Sequence, residues 1–206
     1  IADLTRDLSR TYPIDTRRIY VAGLSAGGAM AAIMGAAYPD LYAAVGIHSG
    51  LPVGAAHDLL SAFAAMKNGM AGTGPLAAQA NGAATRRQSI PVIVFHGDRD
   101  TTVHPRNGDQ VLAQCTPDVI GEGAKEQAQC KTDVKVEQGS VPQGHAYTRT
   151  IRRDHNGKVI AEQWIVHGAG HAWSGGSRRG SFTDPKGPHA TREMLRFFYM
   201  HTNFYP

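Results

Sequence analysis

Arg18-Ile19-Tyr20-Val21-Ala22-Gly23-Leu24-Ser25-Ala26-Gly27-Gly28-Ala29-Met30-Ala31-Ala32-Ile33-Met34 decides the reading of this chain. An apolar, β-prone run over 18–22 meets a glycine-flanked serine, and a helix-forming run follows at once. Strand, tight turn and helix in that order hold a serine in a strained backbone conformation at the end of a sheet, with its hydroxyl presented outward. Gly23 and Gly27 lie two residues either side of Ser25, where a side chain is expected to collide with the neighbouring strand or helix. Ala26, directly after the serine, can offer its backbone N–H to an oxyanion. G-x-S-x-G alone is weak in a chain with 24 glycines, and its context gives it weight.

A serine of this kind needs an acid and a histidine further along the chain. Pro91-Val92-Ile93-Val94-Phe95 is a fully apolar strand that runs straight into His96-Gly97-Asp98-Arg99-Asp100-Thr101-Thr102-Val103. A strand-like run over 162–166 precedes Gly168-Ala169-Gly170-His171-Ala172-Trp173-Ser174-Gly175-Gly176. Each candidate starts a loop just past the C-terminal end of a strand, the edge on which open α/β sheets build their sites.

G-L-S-A-G-G, then H-G-x-x-D-x-x-V, then G-H-x-W-x-G-G resembles the esterases of the polyhydroxybutyrate depolymerase family, which are similar to feruloyl esterases. The resemblance runs from about Ile1 to the last helix. It implies an α/β-hydrolase fold, a predominantly parallel sheet flanked by helices, with residues 1–206 as a single catalytic domain. It implies a triad of Ser25, Asp100 and His171, with Asp98 as the rival acid, because the family pattern puts the acid three residues after the His-Gly pair. It implies a serine carboxylester hydrolase without cofactor or metal, acting on short-chain hydroxyacyl esters or polyhydroxybutyrate-like polyesters. Feruloyl or acetyl esters of plant polysaccharide are the alternative substrates, and an inactive fragment or binding module of hydrolase shape is the alternative class. The family position of Trp173 lies near the site, where it either packs against an acyl group or anchors the histidine loop. His48, at a strand end near the elbow, is a second candidate for the pocket lining.

Composition narrows the partners. A chain of 206 residues with 42% hydrophobic content can bury one substantial core, and it has no apolar run of the length a membrane span needs. Arginine pairs at 17–18, 86–87, 152–153 and 178–179 contribute to a net charge of +4. They are scattered rather than gathered into the basic face that nucleic acid requires. Cys115 and Cys130 are the only cysteines and bracket a polar segment. One disulfide between them is expected, which favours a secreted or periplasmic location. The other histidines lack companions at metal-ligand spacing.

Ile1, Leu4, Leu8 and Tyr12 fall at helical spacing before Pro13. Helices are also expected over 25–37, 58–67, 107–114 and 188–201, and strands over 18–22, 42–47 and 91–95. Residues 68–89 read as a loop or short helix over the site, and 121–144 as an insertion without clear period. Met30 and Met34 read as core. Asn156-Gly157 between the runs 147–154 and 159–166 signals an antiparallel hairpin that delivers His171. Only 24 residues precede Ser25, room for one helix and one strand, whereas such folds place several strands before the serine. The expectation is a longer polypeptide whose upstream segment is a partner of this one and supplies the second oxyanion N–H.

Overall fold

A computed structural model describes residues 1–69, 90–116 and 133–203. The first helix, α1 (Ala2–Thr11), ends where Pro13 approaches, and only Ala2 within it is buried. Ile1, Leu4, Leu8 and Tyr12 share a stripe, as their spacing implies, but that stripe is exposed rather than packed on the core. Asp15 then accepts the N–H of Arg17 and closes a short 3-10 turn over Thr16–Arg18. The following strand, β1 (Tyr20–Leu24), therefore starts two residues later than its apolar run.

After β1 come α2 (Ala26–Ala37), β2 (Ala44–His48), α3 (Leu59–Asn68), β3 (Val92–Gly97) and α4 (Arg106–Cys115). Asp58 caps α3 by accepting the Ser61 N–H, and the Ser61 hydroxyl returns a bond to the Asp58 backbone. That reciprocal pair fixes the start of the helix. Next are β4 (Asp133–Ser140), β5 (Ala146–Arg153) and β6 (Val159–Val166), then the two-residue strands β7 (Trp173–Ser174) and β8 (Thr183–Asp184), and α5 (Ala190–Phe198).

The main sheet has the order β1-β2-β3-β6-β5-β4. Strands β1, β2, β3 and β6 run parallel, while β6-β5 and β5-β4 are antiparallel. Every residue of β2 and β3 is buried, as parallel strands covered on both faces must be. Alternation along β3 sends Val92 and Val94 into the cluster with Ala31, Ala32, Val111 and Leu112 of α2 and α4. Ile93 and Phe95 enter the opposite cluster with Trp164 and with Met194, Phe197 and Phe198 of α5. The sheet thus carries helices on both faces.

The hairpin of β5 and β6 forms as its Asn-Gly signal implies, with Gly157 at φ +78°. Residues 133–140, read from the sequence as part of an irregular insertion, are instead the edge strand β4. Its one short alternation, Val134 and Val136 between Asp133, Lys135 and Glu137, puts the valines outward on a mostly exposed strand, and no large apolar residue over 137–140 extends the pattern. Met30, expected in the core, is exposed on α2 beside Ile33. The strand carrying the elbow has no partner along its outer edge among the described residues, so it stands at the margin of the sheet. Cys115 ends α4 packed against the β2-β3-α4 cluster, and burial pushes its thiol up to about 12. Cys130 and its expected bridge lie outside the described residues, as do residues 70–89 and the first part of the segment over 121–144.

Candidate active site

Three loops, following β1, β3 and β6, lie at the C-terminal edge of the parallel strands. The first is the elbow. Ser25 has φ +57° and ψ −120°, a conformation that costs a non-glycine residue about 1–3 kcal/mol and is retained only where surrounding contacts enforce it. Its N–H donates to the His48 carbonyl at 2.9 Å and its own carbonyl accepts the Ala29 N–H at 2.9 Å. The hydroxyl is not used to cap α2. Ala26, as the first residue of α2, carries one of the N–H groups a helix leaves without an intrahelical acceptor.

The elbow glycines are not equivalent. A Cβ on Gly23 would stand 2.2 Å from the Gly27 carbonyl group, so the strand tolerates no side chain there. A Cβ on Gly27 would meet nothing within 4 Å, which corrects the expectation of a collision at that position. Gly28 is the tighter site, since its Cβ would come within 3.1 Å of the His48 carbonyl oxygen and the Gly50 Cα.

The second loop follows β3. Asp100 Oδ1 accepts the N–H groups of Thr102 at 2.9 Å and Val103 at 2.8 Å, and Oδ2 accepts His171 Nδ1 at 2.7 Å. The carboxylate is fully buried and the imidazole is 15% exposed. Burial acts to raise the Asp100 pKa, but the Val103 N–H and His171 outweigh it and hold the carboxyl below its ordinary value. A carboxylate only accepts, so His171 carries a proton on Nδ1, and in the neutral ring that leaves the lone pair on Nε2. His96 donates from Nε2 to the Val103 carbonyl at 2.8 Å and so closes the far side of the same turn.

The rival acid has its own partner. Asp98 Oδ2 accepts from His167 Nδ1 at 2.9 Å and Oδ1 from the Gly168 N–H at 2.7 Å, and His167 Nε2 reaches Thr148 Oγ1 at 2.8 Å. Sequence reading passed over His167, and only its position directly after β6 signals the pairing. The acid and histidine loops touch backbone to backbone, with Arg99 N–H on the Ala169 carbonyl at 3.0 Å. A Cβ on Gly97 would stand 2.3 Å from that carbonyl oxygen, which is why glycine follows the histidine there.

His48 corrects a further expectation. Its ring is 1% exposed and lies between Phe95 and Trp173 at centroid distances of 5.8 and 5.2 Å, so it lines no open pocket. Trp173 is partly buried, stacks on His48, donates from Nε1 to Thr191 Oγ1 at 3.0 Å and pairs with Thr183 in the β7-β8 ladder. Those contacts anchor the histidine loop. Among the described residues no group of three or more His, Cys, Asp or Glu side chains could hold a metal ion, and no helix is long and apolar enough to cross a membrane.

Residues 1–134 match the family described as esterase PHB depolymerase, a span that includes Ser25 and Asp100 and stops before His171. The chain is 29% identical over 175 residues to poly(3-hydroxyalkanoate) depolymerase C of Paucimonas lemoignei, covering 83% of this chain and 39% of that protein. It is 30% identical over 122 residues to a protein of Aspergillus fumigatus named probable acetylxylan esterase A, covering 52% of this chain and 31% of that one. The chain thus spans roughly a third of the length of these curated relatives. Among solved structures, an acetyl xylan esterase from Aspergillus awamori superposes with a TM-score of 0.61 at 23% identity, covering 97% of this chain and 65% of that one. The mostly parallel sheet with helices on both faces is therefore an α/β-hydrolase fold, and the family match over more than half its length shows that the chain belongs to the esterase PHB depolymerase family.

Proposed function

We propose that this chain is a serine carboxylester hydrolase, with Ser25 as nucleophile, His171 as general base and Asp100 as the acid that orients it. The observation that carries the reading is the buried 2.7 Å bond between Asp100 and His171, set at the same sheet edge as the strained, uncapped Ser25. His171 Nε2 takes the hydroxyl proton as Ser25 Oγ attacks the ester carbonyl, and Asp100 stabilises the imidazolium that results. Ala26 N–H bonds the oxyanion. The imidazolium then protonates the leaving alkoxide, and water attacks the acyl-enzyme by the same route in reverse. No cofactor enters these steps.

Two substrate classes follow from the relatives. Esters of 3-hydroxy acids and their polyesters are supported by the family match and by the depolymerase of Paucimonas lemoignei. Acetyl esters on xylan are supported by the Aspergillus proteins. A polymer of either kind is too large to cross a membrane, which favours export of the enzyme. Fluorophosphonate labelling of Ser25 tests the chemistry: a labelled Ser25 supports it, and an unlabelled, folded protein overturns it. Turnover of p-nitrophenyl acetate, p-nitrophenyl butyrate, polyhydroxybutyrate film and acetylated xylan then separates the substrate classes.

A further inference from the structure

Among the described residues, His48 is the one bonded to both Ser25 and the histidine loop. Its carbonyl receives the Ser25 N–H at 2.9 Å. Its Nε2 receives the Ser174 N–H at 3.0 Å, three residues beyond His171. An imidazole nitrogen that accepts is unprotonated, so the neutral ring carries its proton on Nδ1. That proton points to Ser49 Oγ at 3.2 Å, and Ser49 is fully buried at φ +47° with its own N–H on the Phe95 carbonyl at 2.9 Å. The ring is clamped between Phe95, within the acid's strand β3, and Trp173, two residues after the base.

Resting on the triad reading above, we propose that His48 is a positioning residue that sets the His171 loop against the Ser25 elbow. The rigid five-membered ring fixes the separation of two loops that no strand pairing joins. Nearly attacking geometry is sensitive to displacements of about 1 Å, which can cost a hundredfold in rate. A charged His48 would lose the acceptor at Nε2. Burial opposes that charge and pushes the imidazole down to about 3, and nearby His96 and His171 act in the same direction against Asp100. The clamp therefore stays neutral well below the ordinary histidine value of 6.5.

The test compares His48→Phe, which keeps the aromatic stack but has no acceptor, with His48→Gln, whose amide oxygen can take the Ser174 N–H. Ester turnover on p-nitrophenyl acetate and fluorophosphonate labelling of Ser25 are measured with thermal unfolding. We expect wild-type turnover, a fall in kcat of about tenfold to a hundredfold in the phenylalanine variant with KM within about twofold, and recovery by glutamine to within about threefold. A phenylalanine variant with at least half the wild-type kcat, or a glutamine variant as impaired as phenylalanine, overturns the proposal. Wild-type protein that is folded yet neither turns over ester nor labels overturns the hydrolase reading, and the positioning role with it. If both variants unfold, nitrogen NMR of the wild-type histidines decides: an Nδ1–H tautomer of His48 at neutral pH supports the clamp, and an Nε2–H tautomer overturns it.

Discussion

Two aspartate-histidine pairs lie side by side between the same two loops, Asp100 with His171 and Asp98 with His167, and the bonds are 2.7 and 2.9 Å long. Their surroundings differ. The Asp100 carboxylate is fully buried and its histidine 15% exposed, whereas Asp98 is 38% and His167 42% exposed. Exposed ion pairs are screened and contribute about 0–1 kcal/mol, while a buried carboxylate that loses its partner, or a partner that loses its carboxylate, is costly. Equal geometry therefore assigns different work. The inner pair can stabilise charge on an imidazole that changes protonation during catalysis, and the outer pair ties the loops together at the surface.

The largest effect expected is at the two residues proposed to do the chemistry. Ser25→Ala and His171→Ala should each lower ester kcat by about a thousandfold or more with the fold intact. Steady-state turnover alongside circular dichroism reads this, and retention of most activity by either variant removes the inner pair from catalysis altogether.

Asp100→Asn should follow, with a loss of about a hundredfold to ten-thousandfold, because an amide facing His171 favours the wrong imidazole tautomer. Asp98→Asn should change kcat by no more than about fivefold. If the Asp98 change is the more damaging, the comparison is inverted and the outer pair is the working one.

A smaller, graded effect is expected from pH. Burial is the leading cause that depresses His48 to about 3 and His201 to about 4, and it also lowers His96. The folded state thus binds fewer protons than the unfolded chain as pH falls below the ordinary histidine value of 6.5. Stability should be full above about pH 6.5 and fall steadily toward pH 4. The depressed Asp100 carboxyl adds a loss below its ordinary 3.8, as pH falls through its lower folded value. A thermal midpoint that is flat or rising from pH 7 to pH 4.5 would contradict this sign.

Much of the architecture was legible because it depends on local rules. Val92 to Phe95 is apolar without interruption because a parallel strand is covered on both faces, and that run was readable as a strand. Asn156-Gly157 forces a tight reversal through Gly157 at φ +78°, so the β5-β6 hairpin was also readable. β4 was not, because its alternation is only two valines long, Val134 and Val136, and both face outward on an edge strand instead of into the core. Nor was the exposure of α1, whose spacing of Ile1, Leu4 and Leu8 announces an apolar stripe without saying what covers it.

By itself the sequence determined that a strained serine elbow, an acid loop and a histidine loop follow strands in that order, since each is written in a few adjacent residues. The family pattern already put Asp100 with His171, but only the tertiary structure decided that Asp98, two residues away, faces His167 instead, and that the two pairs differ in burial. Spacing cannot make that choice. It depends on backbone contact between the loops at Gly97 and Ala169, and on the burial that turns Asp100 inward while leaving Asp98 at the surface. The same holds for His48, whose sequence position suggested a pocket. Long-range packing between Phe95 and Trp173, and the Ser174 N–H brought in from the far end of the chain, make it part of the frame.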